Sequence, residues 1–265
     1  MGGESGEKAS SRSHWESFWQ DKQDVSEVYS NADRIVRNLS HLTELKGKRI
    51  LEIGAGTGRD SFPLAAHGAN VVQLDYSENS LRILNNLAQE QHLSVGIVGG
   101  DAFRLPFRDN TFDVVFHQGL LEHFRKREAE ALLKENIRVI KPGGFILVDV
   151  PQRYHIYTLA KHLLISLNLW FAGWERSFSV VELRALLQRL GVAPFYSYGE
   201  WMYPSFFYRV TREMFKKVGV QLPLAPKPVK SLSQLRASIR RSLLGTSLPL
   251  YTGISIGVVA RKFPS

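Results

Sequence analysis

The chain has 265 residues, 44% of them hydrophobic, which is enough to bury a full core and suits one large domain or one domain with an insertion. It contains no cysteine, which excludes disulfides, thiolate metal sites and cysteine nucleophiles. The net charge of +9 is uneven: residues 200–265 hold 11 Lys and Arg against 2 Asp and Glu, so the whole excess lies in the last quarter. Such a stretch is either a plain solvated face or a surface suited to nucleic acid, anionic lipid or an acidic substrate.

Residues 1–12 are small and polar and are expected to be disordered. They hold no apolar run behind a basic end, so the expectation is no signal peptide and a cytoplasmic protein. From His14 to Leu42, Trp15, Phe18 and Trp19, then Val25, Val28 and Tyr29, then Ile35, Val36 and Leu39 recur at helical spacing, with a break near Asp24 to Ser26. Two helices follow from that pattern. Trp15 and Trp19 suit a lid, although each ring alone fits simple core packing.

Arg49 to Asp60, RILEIGAGTGRD, is an apolar strand running into glycines at 54, 56 and 58. Glycine alone permits the positive φ of such a turn and the close approach of a ligand to its backbone. A dinucleotide fingerprint would need its third glycine at position 59, which is Arg. Ser61 to His67 then reads as a helix, with Asp60 complementing its dipole. Asn70 to Asp75 is a second strand ending on a carboxylate that, in a βαβ unit, can accept from both ribose hydroxyls, and Ser77 is free to cap the next helix in its place.

Asn79 to His92 reads as that helix, with Leu81, Leu84, Leu87 and Ala88 on one face. Val95 to Val98 is a third strand, followed by Gly100-Asp101-Ala102-Phe103. A polar turn at Asp109 to Asp113 leads into a fourth strand and then His117-Gln118-Gly119-Leu120-Leu121-Glu122-His123. Lys141-Pro142-Gly143-Gly144 is a turn before a fifth strand, Phe145 to Val150.

The spacing Glu52-x-Gly54-x-Gly56-x-Gly58, the string FRDNTFDVVF and the Pro-Gly turn resemble the class I S-adenosylmethionine-dependent methyltransferases. The resemblance covers about residues 45–200 and returns at 252–262. It implies a Rossmann-like α/β fold: a seven-stranded, mostly parallel sheet with an antiparallel last strand, helices on both faces, an N-terminal helical cap and a helical insertion between the last two strands. It divides the chain into a disordered start and cap (1–44), an S-adenosylmethionine-binding core (45–200), a basic helical insertion (201–251) and a final strand (252–265). It implies S-adenosyl-L-methionine contacts from Glu52, Gly54, Ala55, Gly56, Gly58, Asp75, Tyr76, Asp101, Ala102, His117 and Gln118, with Asp101 and Ala102 at the adenine.

The edge after the fourth strand lines the ligand crevice of such a sheet, so His117 and His123 are the candidate bases if the acceptor is a hydroxyl. Pro151 to Gly173 is apolar but interrupted by Lys161 and His162, so no spanning segment is expected. Ile156, Leu159, Leu163, Leu167 and Trp170 repeat as one helical face. In the family this segment covers the substrate pocket, which makes Tyr154, His155 and Tyr157 candidate neighbours of the acceptor.

Val180 to Leu190 is a further helix. Pro194 to Trp201 and Thr252 to Lys262 are strands, and between them lie a helix at Phe206 to Val218, the Pro-rich LPLAPKP, and a helical stretch at Leu232 to Leu244 carrying Arg236, Arg240 and Arg241.

No run after the fourth strand matches an exocyclic base-amine methylase, a single Glu122 does not make a paired-glutamate loop, and no cluster has metal-ligand spacing. The expected acceptor is a small or lipid-like molecule, and the basic insertion suits peripheral contact with an anionic membrane. An RNA methyltransferase, a nicotinamide oxidoreductase and a non-catalytic cofactor-binding protein are the rival readings.

Overall fold

The computed structural model describes residues 11–20, 33–170, 172–201, 206–223, 238–240 and 242–264. The polar start at 1–10, the break near Asp24 to Ser26, most of LPLAPKP and most of the stretch at 232–244 lie outside the described residues. Two N-terminal helices, α1 (Arg12–Gln20) and α2 (Arg34–Ser40), precede a seven-stranded sheet.

Its strands are β1 (Arg49–Ile53), β2 (Asn70–Asp75), β3 (Gly96–Gly99), β4 (Phe112–Gln118), β5 (Ile140–Pro151), β6 (Val192–Glu200) and β7 (Ser255–Lys262), in spatial order β3-β2-β1-β4-β5-β7-β6. The first five pair in parallel. β7 inserts antiparallel between β5 and β6. The Lys141 to Gly144 turn expected before the fifth strand belongs to β5 itself, with Gly143 at φ 78°.

Alternation along the strands sends side chains to two cores. Leu51, Ile53, Val115, Ile146 and Val148 pack against α5 (Lys126–Arg138) and α7 (Val180–Arg189). Ile50, Val114, Phe116, Phe145 and Leu147 pack on the opposite face against α2 and α3 (Phe62–Ala66). Between β2 and β3 runs α4 (Glu78–Glu90), whose N-cap is Ser77 accepting from Ser80 N at 3.2 Å. Asp75 is thereby released from the capping role.

α2 is fastened to the far half of the sheet by charge. Arg34 donates to Ser255 Oγ at 2.6 Å, and its Nε lies 3.4 Å from Asp149 Oδ2, which also accepts from Tyr198 OH at 2.8 Å. All four residues are buried.

α6 (Ile156–Ser166) departs from the usual amphipathic arrangement. Its buried residues are Thr158 and Lys161, whereas Ile156, Leu159, Leu163 and Leu167 are 72%, 72%, 61% and 57% exposed. Between β6 and β7 lie α8 (Phe206–Lys217) and a short helix, Leu248–Thr252.

Candidate active site

The turn after β1 takes its shape from three glycines in the left-handed region, Gly54, Gly56 and Gly58, at φ 67°, 56° and 63°. The backbone N–H groups of Gly54 and Ala55 both donate to Leu74 O, at 2.8 and 3.0 Å, and so lock the turn onto β2. At Gly56 a Cβ would stand 2.7 Å from the Trp19 ring, and at Gly58 it would meet Gln73 Nε2 at 2.3 Å and Phe62 at 2.7 Å. Gly56 therefore makes room for something lying on the turn, and Gly58 makes room for the helix packed behind it.

A cavity of about 410 Å³ opens over this turn at the carboxyl ends of the parallel strands. One end carries acids. Glu52 and Asp75 are each 4% exposed and line it, with Asp101 at the neighbouring loop. Asp75 accepts from Gly56 N at 2.8 Å through Oδ2 and from Ser77 N at 3.0 Å through Oδ1. Asp101 Oδ1 accepts from Phe103 N at 2.9 Å. Burial, then the neighbouring Asp60 carboxylate, raises the pKa of Glu52 well above the usual carboxylate range, and its Oε2 is buried with no hydrogen-bond partner. An acceptor atom desolvated without a donor is expensive, and a ligand supplying one would relieve that cost.

The other end is built from residues distant in the chain. Glu122, in the short 3-10 helix Leu121–His123, is 4% exposed with Oε2 unpartnered, and Glu175 faces the same cavity. Glu175 is held by Lys161 Nζ at 2.9 Å and by Trp170 Nε1 at 3.0 Å. Burial, then the charge of Glu175, pushes the Glu122 pKa up to about 8. His123 stands beside them, its pKa lowered chiefly by burial.

α1 covers the cavity with Trp15, Phe18 and Trp19, whose rings meet edge to face at 5.3 and 4.9 Å. Trp15 also abuts His123 at 5.0 Å. α1 is anchored by Glu16, which accepts the N–H groups of Glu78 and Asn79 at the start of α4, at 2.9 and 3.0 Å. The rings that suited either a lid or core packing thus line the cavity.

Glu52, Gly54, Ala55, Gly56, Asp75, Tyr76, Asp101, Ala102, Gln118 and His123 all border this cavity. Gly58 does not, for the packing reason above. His117 does not either, which corrects its assignment as a base and as a cofactor contact. Strand alternation turns it to the face of Val115 while Gln118 turns into the cavity. There it is fully buried, neither ring nitrogen has a partner, and burial holds its pKa down to about 3.

Tyr154, His155 and Tyr157 are likewise absent from the lining. Tyr154 is exposed, and His155 caps α6 by accepting from Tyr157 N at 3.1 Å. The segment reaches the cavity through Ala172 instead, and Glu175, just beyond it, lines the cavity as well. Sequence reasoning dismissed Glu122 as a lone acid and overlooked Glu175, because nothing local announces that the two meet.

A nucleoside-sized crevice at the carboxyl edge of a doubly wound sheet, floored by a glycine turn and bordered by two strand-end acids, defines a cofactor-binding α/β protein. Residues 51–148 match the family model described as methyltransferase domain. Over 102 residues the chain is 38% identical to a demethylmenaquinone methyltransferase of Renibacterium salmoninarum, covering 38% of this chain and 40% of that protein. Over 118 residues it is 33% identical to a ubiquinone biosynthesis O-methyltransferase of Coxiella burnetii, covering 43% and 50%. The matched stretch spans half or less of these curated relatives.

The fold also matches a Thermotoga maritima structure described as a SAM-dependent methyltransferase, possible histamine N-methyltransferase. There the TM-score is 0.64 at 20% identity, over 95% of this chain and all of that one. The chain thus carries a stretch, residues 51–148, that matches a methyltransferase domain, within a fold shared with that structure.

Proposed function

We propose that this protein transfers a methyl group from S-adenosylmethionine to a small, lipid-like hydroxyl acceptor of the quinone-precursor kind. The observation that carries the reading is the two-ended cavity: acids around a glycine turn at one end, and a near-neutral carboxyl under an aromatic lid at the other. The names of the two curated relatives support a quinone-type acceptor, and the second, an O-methyltransferase, supports a hydroxyl.

Asp75 and Asp101 would accept from the cofactor's sugar and purine, and Glu52, with its unpartnered oxygen, from a donor above the turn. Bound S-adenosylmethionine supplies a methyl group already activated by its sulfonium. What the chain must add is orientation and exclusion of water, and alignment of two reactants can remove on the order of 7–11 kcal/mol of barrier. Trp15, Phe18 and Trp19 would exclude water and stack on a flat acceptor. Glu122 would take the acceptor's hydroxyl proton, since a base titrating near the working pH is the effective one, with Glu175 keeping its pKa up.

Calorimetric titration with S-adenosylhomocysteine and with NADH, followed by a methyl-transfer assay on dihydroxybenzoate- and hydroquinone-type acceptors, tests this. Binding of the first ligand alone and turnover of a phenolic acceptor are expected. Heat with NADH, or transfer only to RNA, overturns the reading.

A further inference from the structure

α6 is built inside out. Its inward side is polar, with Thr158 2% and Lys161 1% exposed, and Lys161 reaches Glu175 at the cavity. Its outward side is a stripe of Ile156, Leu159, Leu163 and Leu167, spaced by three or four residues, all more than half exposed, continued by Leu169 at 69%. At 100° per residue these positions lie opposite Lys161, so the stripe points away from the cavity and is no part of the acceptor pocket. A water-facing stripe of this kind signals an interaction surface.

What covers it is indicated by charge. From Val150 to Trp174 the only charged residues are Arg153 and Lys161, and there is no acid. α8 adds a second apolar set, with Val210 at 42%, Met214 at 65%, Phe215 at 43% and, just beyond, Val218 at 74%. α8 lies close enough for the charge of Arg209 to act on Tyr157 of α6. It belongs to the part of the chain with 11 basic residues against 2 acids.

Apolar side chains on a segment without acids, and on α8 with four basic residues against one acid in its sequence, match a bilayer bearing anionic headgroups. A second copy of this chain is the poorer fit, because a two-fold contact would set the net positive α8 against itself. No helix among the described residues is long and apolar enough to cross a membrane, which leaves lying on the surface.

We infer that the outward face of α6, with α8 beside it, seats this protein on an anionic lipid surface, the leucine stripe entering the headgroup boundary. The inference does not depend on which acceptor is methylated. A lipid-dissolved acceptor would simply be brought to the same surface.

The test is co-sedimentation of the full chain with phosphatidylcholine vesicles, with and without phosphatidylglycerol, at low and high salt. Binding that requires phosphatidylglycerol, weakens with salt, and falls by about tenfold or more in Leu159→Ser/Leu163→Ser is expected. Melting temperature and S-adenosylhomocysteine affinity should stay as in the wild type, because both leucines are exposed and outside the cavity. Absence of vesicle binding at low salt, equal binding by the double variant, or a dimer in sedimentation velocity that the double variant abolishes each overturns it. Failure here leaves the cofactor titration untouched, so the two proposals fall separately.

Discussion

Lys161 neutralises one of the two cavity carboxylates and leaves the other. Its Nζ lies 2.9 Å from Oε2 of Glu175, while Oε2 of Glu122 has no partner. Burial, then the charge of Glu175, pushes the Glu122 pKa up to about 8, so Glu122 keeps its proton into the neutral range.

If Glu122 accepts the substrate proton it works only when ionised. The log of kcat/KM should then climb with pH and level off above about 8. Glu122→Gln should lose about 10²–10⁴ in kcat and lose that limb of the profile. A full-rate variant would remove Glu122 from proton transfer.

The same group makes a stability prediction. Its folded pKa is raised, so its contribution is complete below the unfolded value near 4.3 and is lost as pH rises through about 8. Over that window wild-type stability should decline relative to Glu122→Gln by up to about 1.4 kcal/mol per pH unit. Urea denaturation of both proteins at several pH values reads the difference, and parallel curves would contradict it.

At the cofactor end, Asp75 and Asp101 should behave differently. Asp75 satisfies the backbone N–H groups of Gly56 and Ser77, so Asp75→Ala should lower the melting temperature as well as ligand affinity, at about 1–3 kcal/mol per N–H left unpaired. Asp101 is exposed and holds only Phe103 N. Asp101→Ala should weaken S-adenosylhomocysteine binding by about tenfold with little change in melting. Calorimetry paired with thermal unfolding separates the two, and identical behaviour would argue against it.

The glycines predict a second contrast. Gly58→Ala places a methyl against Gln73, Phe62 and Leu84 at positive φ and should destabilise by about 2–4 kcal/mol. Gly56→Ala shares the positive-φ strain but has the Trp19 ring as its nearest neighbour, so it should destabilise less while shifting Trp fluorescence and weakening ligand binding. Equal losses of stability in the two variants would refute the division.

Arg34 ties α2 to Asp149, a buried pair whose rupture strands a carboxylate. Burial already pushes the Asp149 pKa up to about 6 against the pull of Arg34. Arg34→Met should cost about 3–5 kcal/mol, and adding Asp149→Leu should restore much of it. A loss under about 1 kcal/mol would mean that water screens the pair.

The sheet core was legible because its signals are local. A glycine turn needs positive φ wherever it stands, Ser77 caps from its own position, and period-two apolar runs mark strands in any context. The strand-end carboxylates at 75 and 101 could be read for the same reason, since strand, turn and helix place them before any long-range contact forms.

His117 shows the limit of that logic. It stood next to Gln118 at the right edge, yet a single step of strand alternation separates cavity from core, and register is a tertiary fact. α6 shows it again: the period announced a helix with one apolar stripe, but periodicity does not say whether that stripe faces protein or solvent.

The sequence by itself determined the order of elements, the glycine turn and the positions of the acids at 75 and 101, all set by backbone sterics within a few residues. Only the tertiary structure decided that Glu122 meets Glu175, that Lys161 serves one of them, and that the leucines of α6 face outward. Those outcomes depend on which distant segments the sheet brings together, and on the charge each must then share out of water.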